Sequence, residues 1–160
     1  MDADLAEKLT DKISNQTVTA LLLAKVAIAR ERGVTLEIDP QTSMNDLSIA
    51  HSAQITIVGN LIDNALDAVK GIKDGRVTLV ISEGTQKMKI LTVSDNGPGL
   101  PTARPEIVFE DGYSTKVAEG SSHRGLGLAI VSRLVKQAGG TIRCFNDHGA
   151  VFVVEIPVES

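Results

Sequence analysis

The chain has 160 residues, of which 42% are hydrophobic and 22% charged, with a formal net charge of −4. That length fits one compact domain, and that composition excludes an intrinsically disordered chain. Sixteen basic residues against 20 acidic ones argue against a large nucleic-acid surface, and 2% aromatic residues with no Trp speak against a base-stacking platform. No apolar run approaches the roughly 18 residues of a membrane span. The start Met1-Asp2-Ala3-Asp4 has no basic region and does not read as a secretory signal. The single Cys144 has no partner for an internal disulfide, which suits a reducing compartment.

In chain order, Leu, Val and Ile recur at spacings of three and four over Leu5 to Arg32, which predicts one helix stopped by Gly33. Val34 to Asp39 alternates and ends at Pro40, the pattern of a strand. Ala50 to Val69 is strongly helical. Arg76 to Ser82 and Lys87 to Ser94 read as two strands joined by a turn at Glu83-Gly84-Thr85. From Asp95 to Arg124 periodicity is lost and Gly, Pro, Ser and Thr accumulate. A connection that long is usually functional. Gly125 to Ala138 is predicted as helix, with Leu126, Ile130, Leu134 and Val135 on one side. Thr141 to Phe145 and Val151 to Ile156 read as a closing hairpin. This order predicts an α/β (α+β) two-layer sandwich: a mixed, mostly antiparallel sheet with helices on one face.

On a helical wheel of Ala50 to Val69, Ile55, Val58, Ile62, Leu66 and Val69 share one arc, while Asn60, Asn64 and Asp67 fall opposite. Such a polar face can be simply solvated. Two asparagines one turn apart are nevertheless poor helix formers. Amide oxygens beside a carboxylate suit a hard cation that keeps its waters and meets phosphates, which means Mg²⁺. Asp95-Asn96-Gly97-Pro98-Gly99 is a strand running into a glycine turn. By itself it reads first as a plain surface turn; the alternative is a base-recognition site. In the second case the carboxylate accepts from the adenine amine and the glycines let backbone approach the ring. Arg124-Gly125-Leu126-Gly127-Leu128 leads into the last long helix and reads either as a flexible lead-in or as a phosphate site, since the free N–H groups of a helix start suit phosphate. It is neither a Walker A loop nor a dinucleotide fingerprint.

Taken together, these segments resemble the GHKL superfamily of ATP-binding domains, the Bergerat fold. Asn60-Leu-Ile-Asp-Asn64-Ala-Leu-Asp67-Ala resembles its N box and Asp95-Asn-Gly97-Pro-Gly99-Leu its G1 box. Phe109-Glu-Asp-Gly112-Tyr-Ser-Thr115-Lys116 resembles the F box of sensor histidine kinases, and Arg124-Gly125-Leu126-Gly127-Leu128-Ala the G2 box. The Tyr-Ser-Thr-Lys form, with Asp67 in the N box, is most similar to the citrate and C4-dicarboxylate sensor kinases.

The resemblance implies ATP and Mg²⁺ as cofactors. It implies that Asn64 coordinates Mg²⁺ and that Asn60 orders water or joins the metal shell. Asp95 would bind the adenine amine, with Gly97 and Gly99 near the ring. Residues 99–124 would form an ATP lid carrying Thr115 and Lys116 to the phosphates, and Arg124 and the amides of Gly125 to Leu128 would meet the phosphate tail. Phe109 is read either as a ligand contact or as a core residue pinning the lid. Many histidine kinases have a basic residue where Asp67 stands; here Asp67 is assigned to orienting a water or a basic partner, Lys70 or Arg124.

Asn60 occupies the position that places an acidic group near water in gyrase-type hydrolases. A neutral amide takes no proton from water, which favours phosphoryl transfer over hydrolysis. The expected chemistry is a protein-histidine kinase acting through Asn60, Asn64 and Lys116. His51, His123 and His148 lack the context of a phosphoacceptor. The phosphate is therefore expected to go to a histidine on a separate dimerisation domain, and onward to a response regulator. Residues 1–12 are read as a candidate tail of that domain and 13–160 as the catalytic domain. It is expected to be cytoplasmic and monomeric in isolation, with its parent either soluble or anchored in the cell membrane. It is not expected to autophosphorylate alone. Two other readings stay open: a nucleotide-gated binding module without transfer, and an anti-sigma-type serine kinase.

Overall fold

The computed structural model describes residues 2–110 and 124–159. Helices α1 (Asp2–Lys12) and α2 (Gln16–Glu31) come first, then strand β1 (Thr35–Pro40) and helix α3 (His51–Ala68). Strands β2 (Arg76–Glu83) and β3 (Met88–Asp95) follow, and a short 3-10 helix occupies Pro105–Phe109. Helix α4 (Arg124–Gln137) and strands β4 (Thr141–Asn146) and β5 (Ala150–Pro157) complete the chain. The single helix expected over Leu5 to Arg32 is two. Asn15 breaks it: its Oδ1 accepts from the N–H groups of Thr17 (3.1 Å) and Val18 (3.2 Å), capping α2. The apolar spacing runs through this break, so periodicity alone misses a cap that Ser14-Asn15 signals.

The five strands form one sheet in the order β1-β2-β3-β5-β4. β1 runs parallel to β2 because α3 is the crossover between them; the remaining neighbours are antiparallel. Alternation sends Val77, Leu79 and Ile81 of β2, Leu91 and Val93 of β3, and Phe152, Val154 and Ile156 of β5 into the core. The register places Leu79 opposite Val93, and Val93 opposite Phe152. Against this face lie Ile57, Val58, Leu61, Ile62, Ala65 and Leu66 of α3, each buried. Burying a large apolar side chain contributes roughly 1.5–3 kcal/mol.

The buried stripe of α3 is wider than the expected arc, and Ile55 is only half-buried. The reason is that α2 and α4 flank α3, so its sides are covered as well as its base. On α4 the buried residues are Leu128, Ala129, Val131, Ser132 and Val135, while Ile130 and Leu134 of the expected face are half-buried. The sheet and α3 cover α4 from two directions, and the burial follows that corner. α1 also joins the core, through Leu9.

Candidate nucleotide site

Asp95 ends β3 and is only 6% exposed. Its Oδ1 accepts hydrogen bonds from the backbone N–H groups of Gly97 (2.8 Å) and Ala150 (3.3 Å). Its Oδ2 is buried and has no hydrogen-bond partner among the described residues. Burial raises the carboxyl pKa above its ordinary value, while the two N–H groups pull the other way. One oxygen is thus anchored, and the other is a desolvated acceptor that no donor among the described residues meets. A buried acceptor without a donor is costly, and such groups mark places where a ligand completes the bonding.

Close backbone approaches hold this arrangement. A Cβ on Gly97 would lie 2.6 Å from the carbonyl oxygen of Ala68, so the turn rests directly on the C-terminal end of α3. A Cβ on Gly149 would lie 1.9 Å from the carbonyl oxygen of Asp95, which fits the β4–β5 turn against the strand tip. Asn96 clamps its surroundings: its Oδ1 accepts from Arg76 N at 2.7 Å and its Nδ2 donates to Asp74 O at 3.0 Å. Beyond Gly99 (φ +92°), both backbone groups of Leu100 are held by Asn146, whose Oδ1 accepts at 2.7 Å and whose Nδ2 donates at 3.1 Å. Asn146 was legible only as a hairpin residue; its latch on the glycine turn spans 46 positions.

A cavity of about 370 Å³ opens beside the same helix. Its α3 wall is Asn60, Asp63, Asn64 and Asp67, with Leu66 beside them; spacings of three and four make the polar residues one stripe. Gly127 and Leu128 of α4 form a second wall, and Lys25 of α2 with Arg32 at its C-terminal cap a third. A Cβ on Gly127 would sit 3.2 Å from Asn60 Oδ1, so the glycine leaves that amide its room. Asp95 is not among the residues lining this cavity. Its turn meets α3 at Ala68, roughly 12 Å along the helix axis from Asn60. The amide stripe and the orphan carboxylate oxygen are therefore brought to one helix, at separations a nucleotide can span.

Asn60, Asn64, Asp67, Gly127 and Leu128 gather as the sequence predicts. Thr115, Lys116 and His123 lie outside the described residues. Arg124, Gly125 and Leu126 are described only as helical backbone in the first turn of α4. Sequence reading missed Lys25, Arg32 and Asp63. The α2 residues carry no local signal, since they look like solvated positions of an amphipathic helix. Phe109 packs edge-on against Phe152, with ring centroids 5.9 Å apart, which is a core contact. His51 and His148 are exposed and away from the cavity walls. The Cys144 thiol is pushed up to about 11 by burial and by the nearby Glu106 charge, so it stays protonated at neutral pH. Among the described residues no three His, Cys, Asp or Glu side chains form a metal cluster. No described helix is long and apolar enough to cross a membrane.

Residues 52–160 match the profile of the histidine kinase-, DNA gyrase B- and HSP90-like ATPases. The chain belongs to this family. It is 43% identical over 155 residues to the sensor protein CitS of Bacillus subtilis, an alignment covering 94% of this chain. It is 34% identical over 152 residues to a probable C4-dicarboxylate sensor kinase of Halalkalibacterium halodurans, covering 91% of this chain. The chain spans 28% of the length of each. These relatives agree with the citrate and C4-dicarboxylate branch implied by Asp67 and the Tyr-Ser-Thr-Lys segment. The fold matches a nucleotide-free catalytic domain of the histidine kinase ThkA with TM-score 0.76 at 23% identity, covering 90% of this chain and 91% of that one. The domain is therefore of the ATPase type that sensor histidine kinases carry, and the two-layer Bergerat architecture expected from the motifs is the one observed.

Proposed function

We propose that this domain binds ATP with Mg²⁺ and transfers the γ-phosphoryl group to a histidine on a separate dimerisation domain of its parent kinase. The observation that carries the reading is the unpaired, buried Oδ2 of Asp95. The exocyclic amine of adenine is a donor of the right kind for it. Guanine presents a carbonyl oxygen at that position, and two acceptors would repel. Gly97 and Gly99 keep side chains away from the ring, and the α3 stripe receives the phosphates.

The donor set of the cavity fits Mg²⁺. Asn60 and Asn64 bring amide oxygens one helical turn apart, and Asp63 and Asp67 line the same wall. These are few, hard oxygen donors, which suits an ion that keeps several waters and shares phosphate oxygens. Asn64 is assigned as its ligand, with Asn60 holding a water or completing the shell; when bound, the ion neutralises phosphate charge. The N–H groups at the start of α4, from Gly125 to Leu128, face the phosphate tail with the positive end of the helix dipole. Thr115, Lys116 and Arg124 are assigned to the same phosphates from the lid side, and Asp67 to holding a water or a basic neighbour.

In the transfer, a lone pair on the acceptor histidine nitrogen forms the new P–N bond. The bond from the γ-phosphorus to the bridging oxygen breaks, and ADP leaves with that electron pair. The domain contributes position and charge rather than a proton acceptor, because Asn60 is a neutral amide. The acceptor belongs to a partner domain. Residues 13–160 are the catalytic unit, residues 1–12 the tail of the dimerisation domain, and a response regulator receives the phosphoryl group afterwards. The isolated domain is monomeric and works on the cytoplasmic side of an anchored or soluble parent.

Titration calorimetry with ATP, ADP and GTP, with and without Mg²⁺, tests the binding. Mixing the chain with γ-labelled ATP and a purified histidine-bearing helix pair tests the transfer. Expected are ATP selectivity over GTP, acid-labile label on the helix pair, and none on the chain alone. Stable label on the isolated chain, or an acid-stable product, refutes the assignment.

A further inference from the structure

The α3 wall of the cavity carries two carboxylates, Asp63 and Asp67, and no cation. A polyanionic phosphate tail laid against it meets like charge. Counter-charge in the described walls comes from a different helix. α2 lies alongside α3 and parallel to it. The Asn15 amide donates to His51 O at 3.2 Å, and Leu21 Cδ2 lies 3.5 Å from where a Gly59 Cβ would be. One turn further along both helices, Lys25 Nζ meets Asp63 Oδ1 at 2.6 Å. The helices are in van der Waals contact there, and their parallel register brings the lysine over the stripe. The Lys25 side chain is 17% exposed and Asp63 53%. The lysine is thus the desolvated member of the pair, and both members line the cavity.

We propose that Lys25 is a phosphate-binding residue of this site, supplying from α2 the positive charge that α3 lacks at Asp67. The inference rests on the ATP reading above. Its ammonium has three donors, so it can keep Asp63 and still donate to a phosphate oxygen. Its four-carbon stem lets the charge shift toward the ligand without moving either helix. Asp63 acts as a positioning residue: it holds the ammonium at the cavity wall before the nucleotide arrives. A pair with only a structural role would be indifferent to the phosphate chain.

The experiment is calorimetry of ATP, ADP and adenosine, each with Mg²⁺, on the wild type, Lys25→Gln and Lys25→Arg, with melting curves for all three. Lys25→Gln is expected to lose about tenfold in ATP affinity, which corresponds to one charge-assisted contact at a partly exposed site. The loss should be smaller for ADP and absent for adenosine, and Lys25→Arg should restore most of it. Unchanged ATP affinity in Lys25→Gln overturns the inference while leaving the ATP reading intact. So does an equal loss for ATP and adenosine, or an equal loss in the glutamine and arginine variants. A wild type that binds adenosine and ATP equally weakly defeats the ATP reading itself.

Discussion

Replacing Asp95 with Asn exchanges one buried oxygen for an NH₂ group and separates the fold from base recognition. Oδ1 is held by two backbone donors, Gly97 N and Ala150 N. Turning the Asn amide over would aim its NH₂ at both of them, so its oxygen stays where Oδ1 is and its NH₂ takes the place of the unpaired Oδ2. That group then meets the adenine amine donor to donor. A hydrogen bond to a charged group contributes about 1.5–3 kcal/mol, so ATP affinity should fall by roughly 10- to 150-fold. GTP should lose nothing, because its carbonyl accepts from the new NH₂. Stability moves the other way. Burial raises the Asp95 pKa in the folded chain above its ordinary 3.8. Between those two values the folded state binds more protons than the unfolded one, so stability falls as pH rises through that window and stays reduced above it. Asn carries no such cost, and Asp95→Asn should melt at the same or a higher temperature at pH 7. Calorimetry with ATP and GTP, beside thermal melts at pH 4 and pH 7, reads both effects. Unchanged ATP affinity in a folded variant would refute the reasoning, because Oδ2 would then face no base.

Two further substitutions probe other parts of the site. Asn64→Ala should weaken Mg²⁺-dependent ATP binding about tenfold or more and leave adenosine binding nearly untouched; equal losses, measured by titration, would remove the metal assignment. Gly97→Ala places a methyl group 2.6 Å from the Ala68 carbonyl oxygen, closer than atoms pack. The α3 end or the turn must shift, at a cost of about 1–3 kcal/mol. A melting temperature within roughly 1 °C of the wild type would show that the turn does not rest on the helix as described.

Much of this protein is decided by neighbours in sequence. The Asn60 to Asp67 stripe follows from helical spacing, and the Asp95 to Gly99 turn from its glycines and proline. The alternation of β2 and β3 states which residues face inward. These features depend on backbone geometry repeating every two or 3.6 residues, so a short window suffices. The motifs, in their order along the chain, also carry the ATP-binding architecture. The break at Asn15 was present as a capping signal but hidden by an apolar rhythm that continues across it.

Other features arise only when distant segments meet. The Asp95 carboxylate owes its one-sided bonding to Ala150, 55 positions away, and the glycine turn owes its latch to Asn146. Lys25 and Arg32 reach the cavity because α2 runs beside α3, and nothing near them in sequence distinguishes them from solvated residues. The buried side of α4 is set by the corner between sheet and α3, not by the neatest apolar row on its wheel. Periodicity states that a helix has a face to bury; only the packing of whole elements decides what that face meets, and hence which charges share a cavity.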